Sequence, residues 1–152
     1  MKKQKPKKSG QFEANAAGLG LLLWQVASNW RRQLEHALKP LDLTHTQFIV
    51  LSSIHQLTYD GTDITQGELA RHAELDNTMT SQIIRLLEQK GFIERRMRPG
   101  DERSKFPHLT QDGQELVDQA TPVVEEVDGI FFESLKSDTK KCMDLLQKLV
   151  SD

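Results

Sequence analysis

Between residues 11 and 38 the apolar positions Leu19, Leu22, Leu23, Val26, Trp30, Leu34 and Leu38 recur at the 3.6-residue period of an amphipathic helix, which Pro40 ends. Thr44-His45-Thr46-Gln47 has the form of a capping box, a Thr at the N-cap with a Gln three residues on. It opens a second helix that buries Phe48, Leu51, Ile54 and Leu57. Residues 59–63 are turn chemistry, and Thr65-Gln66-Gly67-Glu68 is a second capping box that starts a short helix to about His72. Asp76 caps a third helix running to about Lys90, which Gly91 stops in the C′ position.

After Gly91 the period changes. Residues 92–98 and 104–109 read as short strands around the turn-forming Pro99-Gly100-Asp101-Glu102, hence a β-hairpin with a charged tip. Pro107 cannot donate to a ladder and is expected to face an open edge. Thr110 caps a long helix to about Leu135, bent near Pro122, and Ser137 caps a last helix carrying Met143, Leu145, Leu146, Leu149 and Val150.

The 152 residues, 37% hydrophobic and 28% charged, suit one globular domain with helical extensions. No apolar run approaches the roughly 20 residues that span a bilayer, and no apolar segment directly follows the basic start, so a cytoplasmic protein is expected. The net charge of −2 hides an asymmetry: residues 1–10 carry +5, 11–70 −3, 71–109 +2 and 110–152 −6. Basic charge is dense only in the tail, read as disordered, and in the middle, which points to a polyanion.

Two short helices joined by a tight turn and followed by a basic hairpin form the arrangement of a winged helix-turn-helix. Leu69 and Ala70 point inward, Leu75 plugs the turn, and Met79, Ile83, Leu86 and Leu87 form the expected buried stripe of the second helix. That leaves Asn77, Thr78, Ser81, Gln82 and Arg85 on an outer face suited to a major groove. Asn and Gln can bond adenine bidentately, Arg can bond guanine, and Ser or Thr can reach bases or phosphates. The hairpin adds Arg95, Arg96, Arg98, Asp101, Arg103 and Lys105; Arg103 at the tip suits a narrow minor groove, with Asp101 expected to fix its guanidinium.

The series Ile64-Thr65-Gln66-Gly67-Glu68-Leu69-Ala70, Thr78-Met79-Thr80-Ser81-Gln82-Ile83-Ile84, Leu87-Glu88-Gln89-Lys90-Gly91-Phe92-Ile93-Glu94-Arg95, Asp101-Glu102-Arg103-Ser104-Lys105 and Leu109-Thr110-Gln111-Asp112-Gly113 resembles the MarR family of bacterial transcriptional regulators. The resemblance implies a mainly α (α+β) fold, with long N- and C-terminal dimerisation helices around the winged lobe. The divisions expected are a tail at 1–10, a dimerisation helix at 11–40, the DNA-binding lobe at 41–109 and dimerisation helices at 110–152. It further implies a homodimer on a pseudo-palindromic operator in double-stranded DNA, usually as a repressor, with the second motif helix in the major groove and the wing Arg in the minor groove. Gln82 stands where many relatives have Arg, which bears on base preference, and Pro107 interrupts the second wing strand.

Val123, Val124, Val127, Ile130, Phe131, Phe132 and Leu135, with the apolar last helix, exceed what one small domain should expose, which independently favours a dimer. Many relatives release DNA when a small phenolic or lipophilic molecule binds, and Trp24, His45, Phe48 and Phe131 are the residues expected to line such a pocket. Cys142 is the only cysteine; it excludes an intramolecular disulfide and reads as a structural thiol. The five histidines have no compact ligand spacing, so no metal or cofactor is expected. No nucleophile–base pair, phosphate loop or paired carboxylates mark an enzyme. A winged helix serving protein–protein contact would call for an acidic or apolar reading face, which residues 77–85 do not supply.

Overall fold

A computed structural model describes residues 16–150; the expected basic tail and the first five residues of the expected first helix lie outside the described residues. The chain runs α1 (Ala16–Leu38), a 3-10 turn (Lys39–Leu41), α2 (His45–Thr58), α3 (Gln66–His72), α4 (Asn77–Gln89), β1 (Ile93–Arg98), β2 (Asp101–Leu109), α5 (Gln111–Phe131), a 3-10 segment (Glu133–Asp138) and α6 (Thr139–Val150). Both capping boxes form as read: Thr44 with Gln47 and Thr65 with Glu68 exchange reciprocal bonds. No described helix is long and apolar enough to cross a membrane.

The core lies where α2, α3, α4 and the start of α5 meet, with Leu51, Ile54, Leu69, Leu87, Ile93 and Ala120 all nearly inaccessible. Leu75 packs partly buried against it from the turn between α3 and α4. Only the C-terminal end of α1 joins this packing. Leu34 and Leu38 are fully buried, whereas Leu19, Leu22, Leu23 and Val26, on the same periodic stripe, are exposed. An amphipathic period fixes which face seeks burial, not what will cover it.

The hairpin is a two-stranded antiparallel sheet in which Ile93 faces Leu109 and Arg98 faces Asp101, with an irregularity between Met97 and Arg98. Its turn is shorter than expected. Pro99 and Gly100 alone make it, Gly100 at φ +87°, so Asp101 and Glu102 join the second strand. A left-handed Gly at the second central position is what a type II turn requires, Pro is common at the first, and two residues suffice to close it. Pro107 lies opposite Arg95; with two strands only, β2 keeps an open edge where a missing N–H costs no ladder bond.

The expected helix to Leu135 ends earlier, at Phe131, and a 3-10 segment follows. Apolar residues three apart satisfy both helix types, so their spacing could not separate them. Lys136 breaks the path with φ 47° and ψ −120°, and α6 starts at Thr139, whose hydroxyl donates to the Lys136 carbonyl, rather than from a Ser137 cap.

Candidate nucleic-acid interface

The first turn of α4 is built by Asp76, whose carboxylate accepts from the Met79 amide at 2.7 Å. The buried stripe is Thr80, Ile84 and Leu87, with Ile83 half-buried; Met79 and Leu86, expected inside, are 43% and 40% exposed. The cause is helical phase. Once positions 80, 84 and 87 face the core, 79 and 86 stand about 100° round the axis. Thr80 tolerates its fully buried place because its hydroxyl donates to the Asp76 carbonyl at 2.8 Å.

This phase leaves Asn77, Thr78, Gln82 and Arg85 exposed, with Ser81 half-buried and accepting from Arg85 Nη2 at 3.1 Å. The helix's one acidic residue, Glu88, is paired to Arg95 at 3.2 Å. The outward face is thus polar and carries a cation, edged by the two apolar side chains that the sequence reading placed inside.

The hairpin separates its basic residues into two groups. Arg95 pairs with Glu88, Arg96 with Glu94 at 2.8 Å, and Arg98 with Asp63 at 2.9 Å. Arg103 and Lys105 are exposed and have no ion-pair partner among the described residues. Asp101 does not hold Arg103. Its Oδ1 accepts from the Ser104 amide at 3.2 Å, the local turn bond that short Asp side chains favour. Among the described residues, Arg103 therefore stands at the tip without an ion-pair partner.

Asp63 was legible only as a turn residue. Its Oδ2 accepts from Arg98, its Oδ1 lies 2.6 Å from Nε2 of the buried His108, and the Arg98 guanidinium sits 4.5 Å from the Phe106 ring centroid. The Arg98 and then the His108 hydrogen bonds hold its carboxyl below the ordinary carboxylate range. At the hairpin root Thr110 donates to the Gly91 carbonyl at 2.6 Å and accepts from the Gly113 amide at 3.0 Å, while its own amide donates to the Phe92 carbonyl at 3.1 Å.

The four residues expected around an effector have different surroundings. Trp24 is 71% exposed on α1, His45 and Phe48 are buried on α2, and Phe131 is half-buried edge-on to Phe132. Trp30, not Trp24, meets His45: the rings lie edge to face 5.1 Å apart, and the indole N–H donates to Asp128 on α5 at 2.7 Å. A half-buried indole N–H favours a protein acceptor, but no local signal could name one 98 residues away. Burial lowers the His45 pKa against the opposing pull of Glu35. A separate cleft of about 410 Å³ opens between the end of α1 and Lys90, lined among others by Glu35, Lys39, Leu43 and Gln47. Among the described residues, no three His, Cys, Asp or Glu side chains cluster to hold a metal.

A model of the MarR family matches residues 43–105. The chain is 42% identical over 122 residues to YdcH of Bacillus subtilis strain 168, an uncharacterized HTH-type transcriptional regulator, covering 80% of this chain and 83% of that one. Among solved structures it is similar to a mutant Escherichia coli MarR complexed with operator DNA, with 30% identity, TM-score 0.75 and coverage of 88% and 94% of the two chains. It is also similar to a Mycobacterium tuberculosis MarR family protein in complex with p-aminosalicylic acid, with 30% identity, TM-score 0.69 and coverage of 88% and 98%. With this fold, and at these identities over nearly the whole length of the relatives, the chain belongs to the MarR family of transcriptional regulators.

Proposed function

We propose that this protein is a homodimeric, sequence-specific DNA-binding repressor of the cytoplasm, with no enzymatic activity of its own. The observation that carries the reading is the outward face of α4, polar and free of unpaired acid, beside a hairpin tip with an unpaired Arg103. Thr78, Ser81, Gln82 and Arg85, with Asn77 at the start of the helix, read base edges or phosphates in a major groove. Arg103 enters the adjacent minor groove, and Lys105 adds charge along its phosphates. Arg95 and Arg96 are held in exposed pairs of little strength, which phosphate can displace.

Dimerisation rests on the uncovered apolar surface of the arms. Residues 11–40 and 110–152 form the dimerisation unit and 41–109 the DNA-binding lobe. Leu19 and Leu23 on α1, and Met143, Leu146 and Leu149 on α6, are exposed in the single chain. A second copy would cover them, and a two-fold axis would space the α4 helices about one turn of DNA, roughly 34–36 Å. The basic tail at residues 1–10 adds phosphate contacts. The operator-bound relative supports the DNA reading, and the p-aminosalicylic acid complex supports release by a small aromatic acid. Such a molecule would act where α1, α2 and α5 meet around Trp30, His45 and Phe48, with Trp24 and Phe131 completing the pocket from the arms.

Selection of bound genomic fragments by the purified protein at low salt tests this. Pseudo-palindromic half-sites one turn apart, recovered with a dimeric protein, are expected. A strictly monomeric protein, or one that retains no duplex, would refute it.

A further inference from the structure

We propose that Asp63 is a positioning residue for the wing, acting through Arg98 as a strut that sets the inclination at which Arg103 meets DNA. The inference rests on the DNA-binding reading above and concerns how that site is held.

An isolated two-stranded hairpin is marginally stable and bends readily at its root. This one carries Arg103, without an ion-pair partner among the described residues, at the distal end, so any bend at the root moves Arg103 most. The root is fastened by Thr110 and by the Arg95–Glu88 pair to α4. Those contacts fix where the hairpin emerges, not how its far end leans. Arg98 lies next to the turn and faces Asp101, whereas His108 lies near the root, facing Glu94. They stand on different strands and four ladder steps apart, roughly 13 Å at the usual rise per residue. Both nevertheless meet the same carboxylate, one on each oxygen. The Arg98 side chain therefore runs back along the hairpin, across the Phe106 ring, to a residue of the loop that precedes α3.

One hydrogen bond leaves rotation free; two from one carboxylate to both strands oppose it. The His108 end is buried, so that bond is shielded from water. The Arg98 end is about half exposed, and the ring beneath it directs the guanidinium toward Asp63. Asp63 belongs to the segment leading into the helix-turn-helix through Ile64, which is buried in the core. The wing tip is thereby registered to α4 through the body of the lobe. In this arrangement Arg98 orients the hairpin and does not serve as a phosphate contact.

The test is a double-mutant cycle at fixed salt on a duplex recovered by the genomic selection. Arg103→Ala should weaken binding by the parent roughly 5- to 150-fold. In an Asp63→Ala background the same change should cost less than about three-fold, because the tip is already misplaced. Arg98→Met keeps the packing on Phe106, removes the guanidinium, and should reproduce that loss of coupling; it serves in the same cycle if Asp63→Ala fails to fold. Amide exchange in the absence of DNA should quicken across residues 96–106 in both variants and stay unchanged in α2. A merely structural role would lower stability and leave the Arg103 factor intact. Equal Arg103 factors in both backgrounds, with the parent binding, would overturn this inference alone. So would a salt slope about one unit lower for Arg98→Met with the Arg103 factor retained, which would make Arg98 a phosphate ligand. A parent that bound no duplex would overturn the DNA reading itself.

Discussion

Gly113→Ala is a single added methyl whose effect follows from where α5 begins. A Cβ built on Gly113 would lie 3.0 Å from the Phe92 carbonyl carbon and closer still to its oxygen. The obstacle is backbone, which cannot swing aside as a side chain can. Relief requires α5 to move away from the hairpin root, where Thr110 makes bonds of 2.6, 3.0 and 3.1 Å to Gly91, Gly113 and Phe92. Overpacking costs about 1–3 kcal/mol. Weakening one of the Thr110 bonds adds about 1 kcal/mol, and the conformational gain of Ala over Gly in a helix returns about 0.5–1 kcal/mol. The net expected loss is roughly 1–3.5 kcal/mol, or about 2–14 °C in melting temperature for a chain of this size at fixed protein concentration. Gly67 in α3 is the control. A Cβ there meets only Thr65 Oγ1 at 3.9 Å, an ordinary contact, so Gly67→Ala should be neutral to stabilising by up to about 1 kcal/mol. Thermal and urea unfolding of both variants beside the parent decide the matter. If Gly113→Ala unfolds at or above the parent's temperature, the close approach of α5 to Phe92 is not real, and the packing of the wing root derived from it falls.

His45 is held below its ordinary value of 6.5 chiefly by burial, so the folded chain takes up its proton later than the unfolded one as pH falls. The contribution is fully present above about pH 6.5 and declines below it; His45→Gln should flatten the urea midpoint against pH between 5 and 7, and an unchanged slope would assign the dependence elsewhere. Trp30→Phe removes the donor to Asp128 and should cost about 1–3 kcal/mol of stability by urea unfolding, since it leaves a half-buried carboxylate without its partner. Thr80→Ala removes a fully buried side chain of the α4 stripe and should destabilise more than Met79→Ala, the reverse of the order that the sequence period alone suggests; equal losses on thermal melting would return Met79 to the core. Substituting Gln82 or Arg85 should change the preferred base at particular half-site positions; a uniform loss over all sequences would reduce both to phosphate contacts.

Local chemistry marked the elements of this protein. Thr44, Thr65, Asp76 and Thr110 cap helices where they were read, Gly91 ends α4 at φ +81°, and Gly100 turns the hairpin. Each device acts within about four residues, so its partners are neighbours in the chain. The ordered motif series from Ile64 to Gly113 also carries the family in the sequence itself. Phase and partnership were not legible. Thr80 or Met79 could equally have faced the core, since the choice depends on what α4 packs against, and a Thr can enter a core once its hydroxyl finds a carbonyl. Asp63 looked like loop because its partners, Arg98 and His108, are 35 and 45 residues away, and nothing in a sequence period reports a contact at that range. Which arginines of the hairpin are paired was decided in the same way: five cations look alike along the chain, and the packed lobe brings carboxylates to Arg95 and Arg98 while, among the described residues, leaving Arg103 without one.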